Sequence, residues 1–390
     1  MMKLFHISDL HIGLKLYNRD LSEDQAYVFK QITELAAQEK PDAVLIAGDI
    51  YNSAVPSADA VGLFDSFITK LSEAVPCAEI MIISGNHDSA PRVDLFRKLL
   101  AERRIHMIGM PPVRPEEHIE KVTLNDEYGN VNFYLLPFVK PSMIKMITGT
   151  YENGNNLSYN DALHALINRE DIDRNERNII VSHQFYLPKG RSADEIERMD
   201  SEVRTVGNID EVSADVLEPF DYAALGHIHK PMSAGNDNFR YCGTPVACSV
   251  SEAGQEKGII VAEIGKKNAD GVTDIKTSVL PLIPLRRIKV IKGEFADVLA
   301  QSCDDFVSVR LTDKKDIDIM DMHDRLRSAF PYLLEIQREN IRTFDSSVEI
   351  DDETVNMDPF DMCCSFIGAS DDEEKDLLRD IINTVREADS

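Results

Sequence analysis

Three short apolar runs, each ending in polar side chains, constrain the first ninety residues more than anything else in the chain. Residues 3–8, 42–47 and 79–84 read as strands, and between them Ser22–Glu39 and residues 57–73 carry apolar side chains at helical spacing. This β-α-β-α-β order predicts a parallel sheet, because each crossover helix returns the next strand in the same direction. The first strand ends in Asp9 and His11, the second in Asp49, the third in Asn86 and His87. Parallel sheets bind ligands at the C-terminal ends of their strands, so these groups are expected to converge on one crevice. In Gly85-Asn86-His87-Asp88 the glycine allows a sharp turn and the asparagine offers a neutral oxygen. The histidine supplies a titrating imidazole, and the aspartate a carboxylate that could orient it.

The theme recurs further along. Residues 177–182 read as a buried strand presenting His183, and residues 221–225 as another presenting Gly226-His227-Ile228-His229. Five of the ten histidines therefore follow predicted strands; His6, His106, His118, His164 and His323 do not, and are expected to be structural or at the surface. An H-x-H pair at a strand end is predicted to place both rings on one side of the pleat. Together the five blocks supply carboxylate, amide and imidazole donors suited to two divalent ions. Mn²⁺, Fe²⁺ and Zn²⁺ all fit, with Mn²⁺ first because oxygen and nitrogen are mixed without thiolate. Two ions bridged by a carboxylate about 3.5–4 Å apart activate water and stabilise an in-line phosphoryl displacement. The six cysteines (Cys77, Cys242, Cys248, Cys303, Cys363, Cys364) lack zinc spacing and are expected to be reduced thiols. There is no Gly-rich loop with Lys-Ser/Thr, so ATP-driven steps would have to come from another chain.

At 390 residues the chain predicts two or three domains. Beyond residue 105 it becomes strand-rich, with strands at 131–138 and 258–264, a helix over Tyr159–Asn168 and a hairpin turn at Asn236-Asp237-Asn238. The proline-containing stretch 280–285 reads as a linker. A second β-α-β-α-β set over 287–337 then predicts a small α+β domain, followed by an acidic connector and an amphipathic helix over 373–385. The stripe of that helix, Leu377, Leu378, Ile381, Ile382 and Val385, would pack on its own domain or dock on a partner. Domains are thus expected at 1–280, 286–345 and 346–390. The net charge of −26 argues against passive nucleic-acid binding. Residues 286–390 hold 14 basic and 26 acidic side chains, a net of −12, so the preceding part of the chain is less hostile to phosphate than the total implies. No apolar run reaches the ~20 residues of a spanning helix. The N-terminus enters Asp9-Leu10-His11 too soon for a signal peptide, so a cytoplasmic protein away from membranes is expected.

The motifs Phe5-His-Ile-Ser-Asp-Leu-His-Ile-Gly13, Ala47-Gly-Asp-Ile-Tyr51, Gly85-Asn-His-Asp-Ser89, Ser182-His-Gln184 and Asp221-Tyr-Ala-Ala-Leu-Gly-His-Ile-His-Lys-Pro231 resemble those of the calcineurin-like metallophosphoesterases. More narrowly they resemble the nuclease subunits that trim DNA double-strand breaks, through Tyr241-Cys-Gly-Thr-Pro245 and more weakly beyond. The resemblance implies an α/β (α+β) two-sheet sandwich flanked by helices, a small C-terminal α+β capping domain that helps place DNA, and a terminal helix. It implies one ion on Asp9, His11 and His229, another on Asn86, His183 and His227, and Asp49 bridging them. His87 would serve the leaving oxygen, oriented by Asp88. Implied too are duplex-end exonuclease and hairpin or single-strand endonuclease activity, a coiled-coil ATPase partner and a homodimer within a heterotetramer. Two positions depart from the related nucleases: Asn52 stands where a histidine usually follows the Gly-Asp block, and Gly207-Asn208 where Gly-Gly is common. Lys189 and Arg191, in the loop between two ligand strands, and Arg286, Arg287, Lys289 and Lys292, at the start of the cap, are candidate DNA-backbone contacts. Alternatives are a small-molecule or cyclic-nucleotide phosphodiesterase on the same site, or a scaffold with a vestigial one.

Overall fold

The computed structural model describes residues 1–188, 190, 210–313 and 319–338, together with residues 360, 375, 378, 379, 381 and 382. In chain order the elements that matter here begin with β1 (Met2–Ile7), α1 (Ser22–Glu39), β2 (Ala43–Ala47), α2 (Ala58–Ala74), β3 (Glu79–Ile83) and β4 (Ile105–Ile108). They continue with β5 (Glu120–Asp126), β6 (Gly129–Leu136), α3 (Pro141–Thr148), α4 (Tyr159–Asn168), β7 (Arg177–His183) and β8 (Tyr222–Gly226). Then come β9 (Met232–Ser233), β10 (Phe239–Tyr241), β11 (Lys257–Lys267) and β12 (Thr273–Leu282).

Two six-stranded sheets face each other, with strand orders β12-β11-β1-β2-β3-β4 and β9-β10-β8-β7-β6-β5. The four strands β1 to β4 are mutually parallel, as are β10, β8, β7 and β6; antiparallel strands complete each sheet. The central strands are buried on both faces, which is why they read as unbroken apolar runs. Along β2, Val44 and Ile46 pack outward with Phe29, Ile32, Phe64 and Phe67 of α1 and α2. Ala43, Leu45 and Ala47 face the other way, into an inter-sheet core with Phe133, Ile179, Val181 and Tyr222. Helices α3 and α4 cover the outer face of the second sheet. The helix α1 matches its sequence expectation, and Ser57 caps α2 by accepting from Ala60 N at 3.2 Å.

The cap is β13 (Ile288–Gly293), α5 (Phe295–Leu299), β14 (Phe306–Leu311), α6 (Ile319–Ala329) and β15 (Leu333–Arg338), a three-stranded parallel sheet with its own core of Val298, Val307, Val309, Leu326 and Phe330. Two expectations change here. The stretch 280–285 is a linker only in its second half: Leu280, Pro281 and Leu282 continue β12 opposite Ile259, Gly258 and Lys257. Proline is tolerated there because, among the described residues, β12 is an edge strand with no outer partner. Arg286, expected to contact DNA, is instead the bolt of the cap. Its guanidinium reaches Asp24 Oδ2 at 2.7 Å, pairs with Glu23, and lies over the Tyr332 ring at 4.4 Å, so its charge is committed to the joint with α1. Lys289 is paired with Asp305 at 2.7 Å, whereas Arg287 is exposed. Lys189, Arg191 and Asn208 lie outside the described residues, as does most of the expected C-terminal helix, of which residues 375, 378, 379, 381 and 382 are helical.

Candidate active site

Five parallel strands, three from the first sheet and two from the second, deliver their C-terminal ends to one end of the sandwich. Asp9 and His11 follow β1, Asp49 follows β2, Asn86 and His87 follow β3, His183 closes β7, and His227 and His229 follow β8. All seven candidate ligands come together, although His11 and His229 are 218 positions apart in the chain. Asp9, His11, Asp49, His183, His227 and His229 are buried, with Asn86 and His87 half-buried at the mouth.

The donors fall into two groups around Asp49. On one side, the Nε2 atoms of His11 and His229 are 3.0 Å apart, and Asp9 completes a cluster whose donor atoms lie within 4.8 Å of one another. On the other, Asn86 Oδ1 is 3.1 Å from both His183 Nε2 and His227 Nδ1. Asp49 Oδ2 sits between them, 3.6 Å from His11 Nε2 and 3.4 Å from His183 Nε2. The H-x-H rings do not share one side of a pleat. The strand ends at Gly226, His227 takes φ +98°, and its ring joins His183 while that of His229 joins His11.

These residues fit a pair of divalent ions. The donor set is two carboxylates, an amide oxygen and four imidazoles, and the buried Asp9 Oδ2 has no hydrogen-bond partner among the described residues. Burial pushes the Asp9 carboxyl above its usual range. Burial acts the same way on Asp49, but the imidazoles of His183, His87 and His11 outweigh it and hold that carboxyl well below the usual range. Burial drives His11 well down; it also opposes charge on His183, yet Asp49 raises that imidazole to about 9. The ionised Asp49 thus favours positive charge on His183, while burial disfavours it on His11. His183 Nδ1 donates to Ala47 O at 2.7 Å, fixing the tautomer that points Nε2 at Asp49 and Asn86. Two glycines make room for these approaches. A Cβ at Gly85 would lie 2.1 Å from Asp49 Oδ1, and one at Gly226 would lie 1.9 Å from Ala47 O.

His87 sits at the exposed edge of the first group, its ring 5.0 Å from that of His11 and its donor atom within 4.8 Å of those of His11 and Asp49. Its Nδ1 donates to the Asn52 carbonyl at 3.2 Å, its Nε2 is 4.0 Å from Asp49 Oδ2, and its side chain is 22% exposed. That arrangement places Nε2 at the mouth of the site, facing Asp49. Asp88 does not orient it. The Asp88 carboxylate accepts from the backbone N–H groups of Ile50 (3.0 Å), Tyr51 (2.9 Å) and Gly85 (2.9 Å), tying the β2 and β3 loops together. Burial and the nearby Asp49 push this carboxyl up to about 6. The sequence reading misassigned Asp88 because adjacency in the chain says nothing about which way a turn points successive side chains.

Two supporting residues escaped the sequence reading. Gln25 on α1 donates to the carbonyls of Leu10 (3.1 Å) and His11 (2.9 Å), holding the first ligand loop. Its signal was present: it occupies the same helical face as Val28, Phe29 and Ile32, where an amide is out of place. Glu252, behind His229, had no such signal, lying in a short 3₁₀ turn remote in sequence from every ligand. The structural expectation for the other histidines holds for His6, which is buried and bonded to Tyr222 OH and Leu225 O, and which burial drives down to about 3.

The model for calcineurin-like phosphoesterases matches residues 2–231, which contain all seven donors and His87. The chain belongs to the calcineurin-like phosphoesterase family. As a metallophosphoesterase it is a metal-binding hydrolase, and its two facing sheets with flanking helices are the architecture that the motifs implied. Among curated relatives it is 28% identical over 367 residues to the SbcD subunit of nuclease SbcCD from Staphylococcus epidermidis, covering 91% of each chain. Similar solved structures include a dimetal phosphatase from Danio rerio (13% identity, TM-score 0.38, 73% of this chain and 99% of that one). The TT1561 protein of Thermus thermophilus is another (13%, TM-score 0.37, 71% and 98%). No described helix is long and apolar enough to cross a membrane.

Proposed function

We propose that this metallophosphoesterase is the nuclease subunit of an SbcCD-type complex, hydrolysing DNA phosphodiesters in repair, recombination and replication. The observation that carries this reading is the likeness to the SbcD subunit of nuclease SbcCD, which spans 91% of the chain and so continues past the phosphoesterase domain into the cap. A small ester requires no such extra domain.

In this reading Asp9, His11 and His229 would hold one ion, Asn86, His183 and His227 the other, and Asp49 would serve both. When bound, a divalent pair, with Mn²⁺ the first candidate, supplies an acidified water and neutralises phosphoryl charge. The chain's own residues do the rest. The half-buried His87, as an imidazolium whose Nδ1–H stays on the Asn52 carbonyl, gives its Nε2 proton to the leaving oxygen of the scissile phosphodiester and is left neutral. Phe138 and Phe185 pack around the His227 ring and keep that side of the site dry. Exposed Arg287 remains a candidate backbone contact, joined by Lys189 and Arg191, which lie outside the described residues. An SbcC-type coiled-coil ATPase would gate access, two copies of each subunit would form the assembly, and the cytoplasm is where such DNA lies.

The test is cleavage of end-labelled duplex and hairpin DNA in Mn²⁺, beside bis-p-nitrophenyl phosphate and a cyclic nucleotide, with and without the ATPase partner. His87→Ala should lower DNA cleavage by about 10²-fold or more while calorimetry still counts two Mn²⁺, in keeping with general acid catalysis. Hydrolysis of the small esters with no DNA cleavage, even with the partner present, would make the chain a small-molecule phosphodiesterase instead.

A further inference from the structure

Behind His229, on the side away from the donor cluster, lies a buried ionic group that the reaction as described does not use. Glu252 is 1% exposed, with Oε1 3.6 Å from His229 Nδ1; that oxygen accepts from Cys248 N (3.1 Å) and Ser249 Oγ (3.3 Å). Its Oε2 is 2.6 Å from Lys257 Nζ and accepts from Thr244 Oγ1 at 2.8 Å. Lys257, 6% exposed, also donates to Thr244 Oγ1 (2.8 Å) and Gln255 Oε1 (3.0 Å). Glu252 and Lys257 line the floor of a cleft of about 670 Å³ between the phosphoesterase domain and the cap, some of whose other walls are Arg286, Ile288 and Phe306.

A buried charge pair is not a cheap way to fill space, because both ions lose their hydration. This one is placed where an imidazole needs help. For His229 Nε2 to offer a lone pair beside His11 and Asp9, the ring proton must sit on Nδ1, and Glu252 Oε1 faces Nδ1 at 3.6 Å. We propose that Glu252 is a positioning residue for His229. It holds the Nδ1–H tautomer and raises the basicity of Nε2, while Lys257 neutralises Glu252 so that the carboxylate stays ionised without adding net charge to the core. The two halves of the site have separate supports. His183 leans on the Ala47 carbonyl and His227 Nε2 has the Asp210 carboxylate at 4.0 Å, whereas Glu252 stands behind His229 alone, at 3.6 Å. The ion held by Asp9, His11 and His229 depends on Glu252, and the other does not.

This inference rests on the two-ion reading above, and calorimetric titration of the purified chain with Mn²⁺ separates the two. Wild type should bind two ions; if it binds fewer, the two-ion reading fails and this inference with it. Given two, Glu252→Gln should weaken one site by about 10- to 100-fold and leave the other unchanged, the effect typical of losing such an outer carboxylate. The Mn²⁺ electron paramagnetic resonance spectrum should change from a spin-coupled pair to an isolated ion at limiting metal. Because Glu252→Gln strands the Lys257 charge, the double variant Glu252→Gln/Lys257→Met serves if the single one does not fold, and the same site-selective loss is expected. Two sites of wild-type affinity in either folded variant would overturn the assignment. Cys248→Ala should bind both ions as wild type does. Loss of an ion there would instead make the thiol a ligand together with His229 and Glu252, whose donor atoms lie within 4.8 Å of it, and would overturn the positioning role.

Discussion

Four of the side chains that meet in the crevice adopt a backbone conformation that non-glycine residues rarely accept. Asp9, His11, Asp49 and His227 have φ of +53°, +43°, +49° and +98°. Left-handed residues of this kind cost about 1–3 kcal/mol each and persist only when their surroundings over-determine them. Here they do: Asp9 N and His11 N donate to the carbonyls of Gly48 and Asp49 at 3.0 Å each, and His227 N donates to Asp9 Oδ1 at 2.9 Å. Asp88 belongs to this restraint and not to the chemistry. Asp88→Ala should therefore cost about 3 kcal/mol in a urea denaturation series, since each buried donor left without an acceptor costs ~1–3 kcal/mol and water would satisfy some of them. His87→Ala, by contrast, should leave the midpoint nearly unchanged. The pair of variants separates restraint from catalysis at adjacent positions.

Among the elements, α1 has a double duty that its length and stripe do not advertise. Its apolar face covers the first sheet, and its first turn holds both the ligand loop, through Gln25, and the cap, through Glu23 and Asp24. Removing Arg286 would leave Asp24, 2% exposed, as a buried carboxylate without its cation. Arg286→Met should destabilise the chain by about 3 kcal/mol and speed limited proteolysis within 283–287, while Mn²⁺ binding is retained. A rate of cleavage there equal to wild type would contradict this role for Arg286. The helices and strands themselves were legible: α1 follows from its periodicity, and the ligand-bearing strands from apolar runs that stop at Gly, Ser or Asp. What periodicity does not carry is sheet membership. Strands β7 and β8 look like β2 and β3 in composition yet build the opposite sheet, and β12 consumed half of a proline-containing stretch that reads as linker.

Across the whole molecule the two sheets are joined at the end opposite the crevice by Arg177, 2% exposed on β7. It pairs with Asp126 of β5, donates to Gly129 O at 2.7 Å, and reaches across to Gly265 O of β11 at 3.2 Å. Burial acts to raise the Asp126 carboxyl, but Arg177, the Tyr128 backbone N–H and the N-terminal ammonium together outweigh it and hold the group down to about 2, against an ordinary 3.8. A carboxylate with a depressed folded value contributes stability that is complete above 3.8 and disappears as pH falls toward 2. Asp126→Asn should thus lower stability at neutral pH and flatten its further loss in that acid window, as followed by circular dichroism. An unchanged slope would show that Asp126 and Arg177 contribute nothing across the sheets.

The chain's local patterns determined which residues leave strand ends as carboxylate, amide or imidazole, and thus that a phosphoesterase-like donor set exists at all. They could do so because strand period, glycine turns and donor type are properties of a few neighbouring residues. Only the tertiary structure decided which donors meet. His11 faces His229, Asp88 faces the backbone of Ile50 and not His87, Arg286 faces Asp24, and Glu252 faces His229, because such pairings depend on how two sheets and a cap pack across tens to hundreds of positions of chain.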